Sequence, residues 1–208
     1  EADRRKSEFL AMLAHELRNP LAAIHNAVQI LLRSGGDARI VQSAAEILNR
    51  QVAHMGRQVD DLLDVNRISQ GKIELRKVRT DMVPVVSDAV ESARPYLESS
   101  GHELTIKLPR RAVYVQGDAI RLAQAVGNIL NNACKFTGSG GSVCLTLEPE
   151  GEYAVVRVQD TGLGIAREQL GRIFELFAQV KTPLEGSHSG LGIGLTLVKS
   201  LVEMHGGT

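Results

Sequence analysis

Apolar and polar positions follow two different periods along this chain. Leu10, Leu17, Ile24 and Leu31 fall seven residues apart, with Leu13 and Val28 between them. Further on, Val41, Ala45, Leu48, Val52, Met55, Val59 and Leu62 alternate steps of four and three. That is the spacing of a coiled-coil seam. Ser34, Gly35, Gly36 and Asp37 interrupt it. Glycine suits a helix C-terminus and Asp37 suits the next N-cap, so the pattern predicts an antiparallel helical hairpin. Phe9, Met12, Leu21, Leu32, Ile47, Leu63 and Val65 widen the apolar stripe beyond a two-helix seam. A second hairpin would cover it, and a homodimeric four-helix bundle is expected.

Beyond Ser69, Gln70, Gly71 and Lys72 the pattern becomes mixed. Strands are predicted over 72–78, 102–108 and 112–115, and a strand pair over 142–148 and 153–159. Helices are predicted over 82–99, with Pro84 in the first turn where its missing N–H costs little, over 118–135 and over 191–205. The expected architecture is the α hairpin over 1–70 followed by an α/β sandwich over 71–208, a mixed sheet covered by helices.

Composition narrows the picture. Hydrophobic residues are 43% and aromatic residues 3%, with no Trp, so cores must be built from Leu, Ile, Val and Ala. Basic and acidic residues balance at 24 each, which gives no electrostatic argument for nucleic acid or an anionic membrane. Cys134 and Cys144 form no CxxC pair and read as reduced structural thiols. No apolar run reaches the roughly 20 residues of a membrane span, so a cytoplasmic fragment with no direct membrane contact is expected. The chain opens without Met inside a predicted helix, as a piece of a longer protein would.

Candidate chemistry comes in two groups. His15 stands two residues from Leu13 and from Leu17. Two residues turn a helix by about 200°, so the ring is predicted to point away from the seam. A neutral imidazole is a competent nucleophile near neutral pH. Glu16 adjoins it and could orient the ring, Asn19 lies one turn on, and Pro20 should kink the helix just below. The other histidines read as ordinary solvated residues.

The second group is a pocket. Asn128, Asn132 and Lys135 fall at i, i+4 and i+7, opposite the apolar Leu122, Val126, Ile129 and Ala133. Amide oxygens one turn apart can share a hydrated Mg²⁺, and a lysine supplies a point charge for phosphate. Asp160, Gly162 and Gly164 follow a strand; the carboxylate could accept from an exocyclic amine such as adenine offers. Gly190, Gly192 and Gly194 open the last helix, where backbone N–H groups can cradle phosphate. Residues 178–189 read as a mobile lid, and Phe174 and Phe177 as packing.

In this order the segments resemble the sensor histidine kinases of bacterial two-component systems. Residues 9–24 look like their phospho-acceptor box centred on His15, and residues 128–137 like the asparagine box. Residues 160–165, 173–177 and 190–195 look like the first glycine, phenylalanine and second glycine boxes. The resemblance implies a dimerisation and phosphotransfer bundle and a Bergerat-type catalytic domain using ATP and Mg²⁺. The receiver domain of a response regulator would take the phosphoryl group from His15. It also implies that Glu16 assists transfer and that Asn19 serves dephosphorylation of the regulator. Phe136 stands where many members have Tyr, and the family usually adds a strand after Gly206, Gly207 and Thr208.

Two rivals remain open at this stage. An ATPase of the gyrase and heat-shock-chaperone group would need a general-base Glu where Asn128 stands, and Asn cannot take a proton from water. A nucleotide-binding scaffold would bind ATP without phosphorylation.

Overall fold

The structure is a computed structural model and describes residues 2–178 and 191–208; within α-helical stretches, the side chains of residues 2–10, 12, 69 and 99 are left aside. Two helices of 32 residues, α1 (Ala2–Arg33) and α2 (Ala38–Ser69), form the predicted hairpin. Its turn is closed by local bonds. The Ser34 hydroxyl donates to the Leu31 carbonyl at 2.8 Å, and Asp37 Oδ1 accepts from the Arg39 amide at 2.9 Å. Gly35 and Gly36 take φ of +59° and +89°, which a Cβ would disfavour. Helix α1 is continuous through Pro20.

Burial on the hairpin is partial. Ala27 and Ala44, at equal distance from the turn, are both 1% exposed. Leu13, Leu17, Ile24, Leu31, Leu48, Met55 and Leu62 are half-buried. Of the residues that widen the stripe, Leu21, Leu32 and Leu63 are exposed, Ile47 is half-buried and Val65 is buried; Val52 and Val59 of the seam are exposed as well.

The chain divides after Asn66 into two compact units. The second holds β1 (Val78–Asp81), α3 (Met82–Ser99), β2 (Glu103–Lys107), β3 (Tyr114–Gly117), α4 (Ala119–Phe136), β4 (Ser142–Glu150), β5 (Tyr153–Asp160) and α5 (Gly194–Met204). Strand β4 pairs parallel with β2 and antiparallel with β5, which makes the sheet mixed. Strands β1 and β3 form a separate antiparallel pair. The single sheet expected from the sequence is therefore two hydrogen-bonded pieces. The strand expected over 72–78 also begins later, at Val78. The Arg76 amide donates to Asp118 Oδ2 at 3.1 Å instead of entering a ladder.

Helix α3 starts where Asp81 Oδ1 accepts from the Val83 amide, an N-cap bond. One face of α3 (Val86, Ala89, Val90, Ala93, Leu97) meets Val126, Leu130 and Ala133 of α4 over the inward side of β4. Along β4 the alternation is clean: Val143, Leu145 and Leu147 are buried while Cys144 and Thr146 are half-buried. Each fully buried Leu or Val contributes about 1.5–3 kcal/mol. Those residues fix α4 on the sheet with its opposite face turned outward. Among the described residues no helix is long and apolar enough to cross a membrane.

Candidate phosphotransfer and nucleotide sites

His15 is exposed on α1, as its distance from the seam predicts. Asn19, one turn on, is exposed too, while Glu16 is only 7% exposed. Neighbouring helical positions lie about 100° apart, so Glu16 turns inward as His15 turns outward.

Helix α4 begins at Asp118, whose Oδ1 accepts from the Ile120 and Arg121 amides at 3.1 and 3.3 Å. Burial opposes the charged form of Asp118. The amides of Arg76, Arg121 and Ile120 outweigh it and hold the carboxyl below its ordinary range. The Asp118 amide in turn donates to His205 Nε2 at 3.0 Å, tying the end of α5 to the start of α4. Asn128, Asn132 and Lys135 are half-buried, opposite the buried Val126, Leu130 and Ala133. Asn128 Nδ2 is a buried donor without a protein partner, and Asn131 Oδ1 is a buried acceptor without one. Such groups cost free energy unless a ligand or water meets them. The Lys135 ammonium lies 5.0 Å from the Phe136 ring centre. On the core side of α4, burial pushes the Cys134 thiol up to about 11.

The first glycine segment is docked onto the end of α4. The Leu163 amide donates to the Phe136 carbonyl at 3.2 Å. A Cβ on Gly162 would sit 2.4 Å from that same oxygen, so glycine is required for the approach. Asp160 is exposed, and its Oδ1 accepts from the Gly162 amide at 2.9 Å. Gly164 needs glycine for a different reason, a φ of +67° with open space around it. Thr161 completes the anchor: its hydroxyl oxygen accepts from the Ser142 amide at 3.0 Å.

The second glycine segment leads into α5. Gly192 has φ +66°, and a Cβ there would lie 2.7 Å from the Ala178 carbonyl oxygen. Ile193 caps α5 without a side-chain hydrogen bond, and Gly194 is its first residue. The first amides of a helix have no acceptor within it, so this N-terminus presents donors. Ile193, Leu197, Val198 and Leu201 are buried, and α5 packs beside α4. Gly190 and the lid expected over 178–189, apart from Ala178, lie outside the described residues.

Sequence reasoning missed three features. Phe174, read as packing, is 40% exposed. Phe177 takes φ +66°, which no local pattern announces. Thr196 donates from its hydroxyl to the Phe174 carbonyl at 3.0 Å. A hydroxyl in the first turn after a glycine cluster was the available signal.

The geometry defines a class of architecture: a long helical hairpin followed by an α/β unit with a mixed sheet. Residues 5–71 match the His Kinase A (phospho-acceptor) domain. Residues 117–208 match the histidine kinase-, DNA gyrase B- and HSP90-like ATPase family. The chain is 36% identical over 212 residues to the autoinducer 2 sensor kinase/phosphatase LuxQ of Vibrio cholerae, covering all of this chain and 24% of that protein. It is 30% identical to the mycobacterial sensor histidine kinase MprB, covering 62% of this chain and 80% of that one, with a TM-score of 0.52. Full-length ShkA, solved with AMPPNP, is 29% identical over 94% of this chain and 40% of that one, with a TM-score of 0.62. ThkA, solved in complex with the response regulator TrrA, shares the fold at 19% identity, covering 100% of this chain and 58% of that one, with a TM-score of 0.63. The chain belongs to the sensor histidine kinases of two-component systems. It spans about a quarter of the length of curated relatives such as LuxQ.

Proposed function

We propose that this chain is a histidine autokinase that binds Mg²⁺-ATP through α4 and the two glycine segments and phosphorylates His15. The observation that carries the reading is Asn128: a half-buried side chain whose buried Nδ2 donor is unmet, on the face that also bears Asn132 and Lys135. It invites a ligand, yet it is no carboxylate and cannot activate water. The nucleotide site therefore lacks the base for hydrolysis, and the chain carries an exposed imidazole as acceptor.

The donor set fits a metal brought in by the nucleotide. Among the described residues no group of His, Cys, Asp or Glu could hold a metal ion. Mg²⁺ keeps several waters and binds through few protein oxygens and substrate phosphates, which suits Asn132 and Asn128. When bound it would neutralise phosphate charge. Asp160 would accept from the adenine amine, Lys135 would balance the phosphates, and the N-terminal amides of α5 would take the phosphate tail. Gly190, Gly192 and Gly194 would keep that backbone bare.

Transfer is mostly positioning and charge neutralisation. The lone pair of His15 Nε2 forms the N–P bond while the bond from the γ-phosphorus to the bridging oxygen breaks and ADP leaves. Glu16, after a side-chain rotation from its buried position, would hold the Nδ1 proton. The phosphoryl group then passes to an aspartate of a response-regulator receiver domain. ThkA's complex with TrrA supports that partner. The exposed Leu21, Leu32, Val52, Val59 and Leu63 support a homodimer through the hairpin. Asn19, exposed one turn from His15, would serve the regulator's dephosphorylation, a role the kinase/phosphatase name of LuxQ supports.

The test is incubation with radiolabelled ATP and Mg²⁺, followed by acid and base. The expected label is acid-labile, base-stable and lost in His15→Gln. A folded sample that binds ATP and takes no label would overturn the kinase reading in favour of a nucleotide-binding scaffold.

A further inference from the structure

Two bonds fasten residues 174–178 to the start of α5. The Phe177 amide donates to the Gly192 carbonyl at 3.1 Å. The Thr196 hydroxyl donates to the Phe174 carbonyl at 3.0 Å. Gly192 stands two residues before Gly194 and Thr196 two after it, so the bonds bracket the first residue of α5. The contact is close. A Cβ on Gly192 would lie 2.7 Å from the Ala178 carbonyl oxygen and 2.9 Å from the Phe177 carbonyl carbon. Phe177 itself sits at φ +66°, a conformation that a residue with a Cβ holds only when its surroundings impose it.

These ties do little for the core. The Thr196–Phe174 bond is exposed. Helix α5 is held by other residues, namely the buried Ile193, Leu197, Val198 and Leu201. What the ties do control is the backbone around Gly192, Ile193 and Gly194, whose amides have no helical acceptor. Backbone donors bind an anion well only if their directions are set beforehand; otherwise binding must also order them.

We propose that Thr196 is a positioning residue for nucleotide phosphate. Its hydroxyl, with the Phe177–Gly192 backbone bond, uses the phenylalanine segment as a template for the α5 N-terminus. The proposal rests on the reading of that N-terminus as the phosphate cradle. Thr196→Val keeps the shape and removes the donor; Thr196→Ser keeps the donor and removes the methyl.

The experiment compares the parent chain with both variants. It measures ATP affinity by calorimetric titration, His15 labelling at saturating ATP, and thermal melting without nucleotide. A hydrogen bond of ordinary net worth predicts about twofold to tenfold weaker ATP binding in Thr196→Val. Thr196→Ser should bind as the parent does, labelling at saturation should be unchanged in both, and the melting temperatures should agree. If the parent binds ATP and Thr196→Val binds it equally well, the proposal is overturned while the nucleotide reading stands. Equal loss in Val and Ser, or a melting drop that parallels the binding loss, also overturns it, because a packing role then suffices. A parent chain that fails to bind ATP overturns the nucleotide reading, and this proposal with it.

Discussion

Gly162→Ala tests whether the first glycine segment is built on close backbone approach. Gly162 has an ordinary φ, so the added methyl meets only a packing problem. Its position is 2.4 Å from the Phe136 carbonyl oxygen and 2.8 Å from the carbonyl carbon, whereas ordinary contact begins near 3.4 Å. One backbone segment must retreat by about 1 Å, because the Phe136 carbonyl is main chain, and Asp160 Oδ1, 2.7 Å away, must shift as well. Overpacking of this kind costs about 1–3 kcal/mol, and the Leu163–Phe136 hydrogen bond that would be stretched adds about 0.5–1.5 kcal/mol. A total of about 2–4 kcal/mol lowers the melting temperature by roughly 5–15 °C. The retreat also displaces the end of α4 that carries Lys135, so ATP affinity falls with stability. Gly164→Ala is the control: its Cβ meets nothing, and only the φ of +67° is strained, at about 1–2 kcal/mol. Differential scanning calorimetry and ATP titration on both variants decide the matter. A Gly162→Ala protein that melts no lower than Gly164→Ala and binds ATP normally would refute the close-approach reasoning.

Two other consequences are open to direct measurement. Asp118→Ala removes the N-cap of α4 and the acceptor for Arg76, which should cost about 0.5–2 kcal/mol at neutral pH. Because the folded carboxyl lies below its ordinary value, that contribution is full above about pH 5 and is lost as pH falls through the folded value, so denaturant curves of parent and variant should converge in acid and stay apart at pH 7. Cys134, buried and raised to about 11, has a thiolate fraction near one in a thousand at about pH 8. In native protein, mass spectrometry after iodoacetamide should find Cys134 unmodified, and rapid alkylation there would contradict the packed face of α4.

The two long helices, α3, α4 and the β4–β5 pair were legible because each has one dominant environment that stamps its period on the residues. Helix α3 runs over Met82–Ser99, the span expected from its apolar rhythm. The first strand of the second unit was misplaced for a local reason. Ile73 and Leu75 alternate with polar residues as in a strand, but both are half-buried without a ladder, and the Arg76 amide goes to Asp118, 42 residues away. The split into β1–β3 and β2–β4–β5 is a choice among distant partners, which alternation alone does not encode. In the candidate site, residue types and order were legible, and the outward face of His15 followed from spacing. The inward turn of Glu16 and the left-handed Phe177 were not, because both depend on what packs against them.

The glycines of the candidate site look alike in the sequence and divide in three dimensions. Gly162 is bare because backbone presses on it, Gly164 because of its φ, and Gly192 for both reasons. Gly194 fits neither reason. It has no positive φ, and a Cβ there would meet nothing within 4 Å, yet it stands at the first position of α5. Among the described residues nothing gives cause to avoid a side chain at that point. Alanine in a helix is favoured over glycine by up to about 1 kcal/mol, so Gly194→Ala should leave the melting temperature unchanged or raise it. If bare backbone at this N-terminus serves phosphate approach, the same variant should bind ATP markedly more weakly. Stability and affinity would then move in opposite directions, which neither a packing role nor general damage produces. A Gly194→Ala protein that binds ATP as the parent does would remove this residue from the phosphate site.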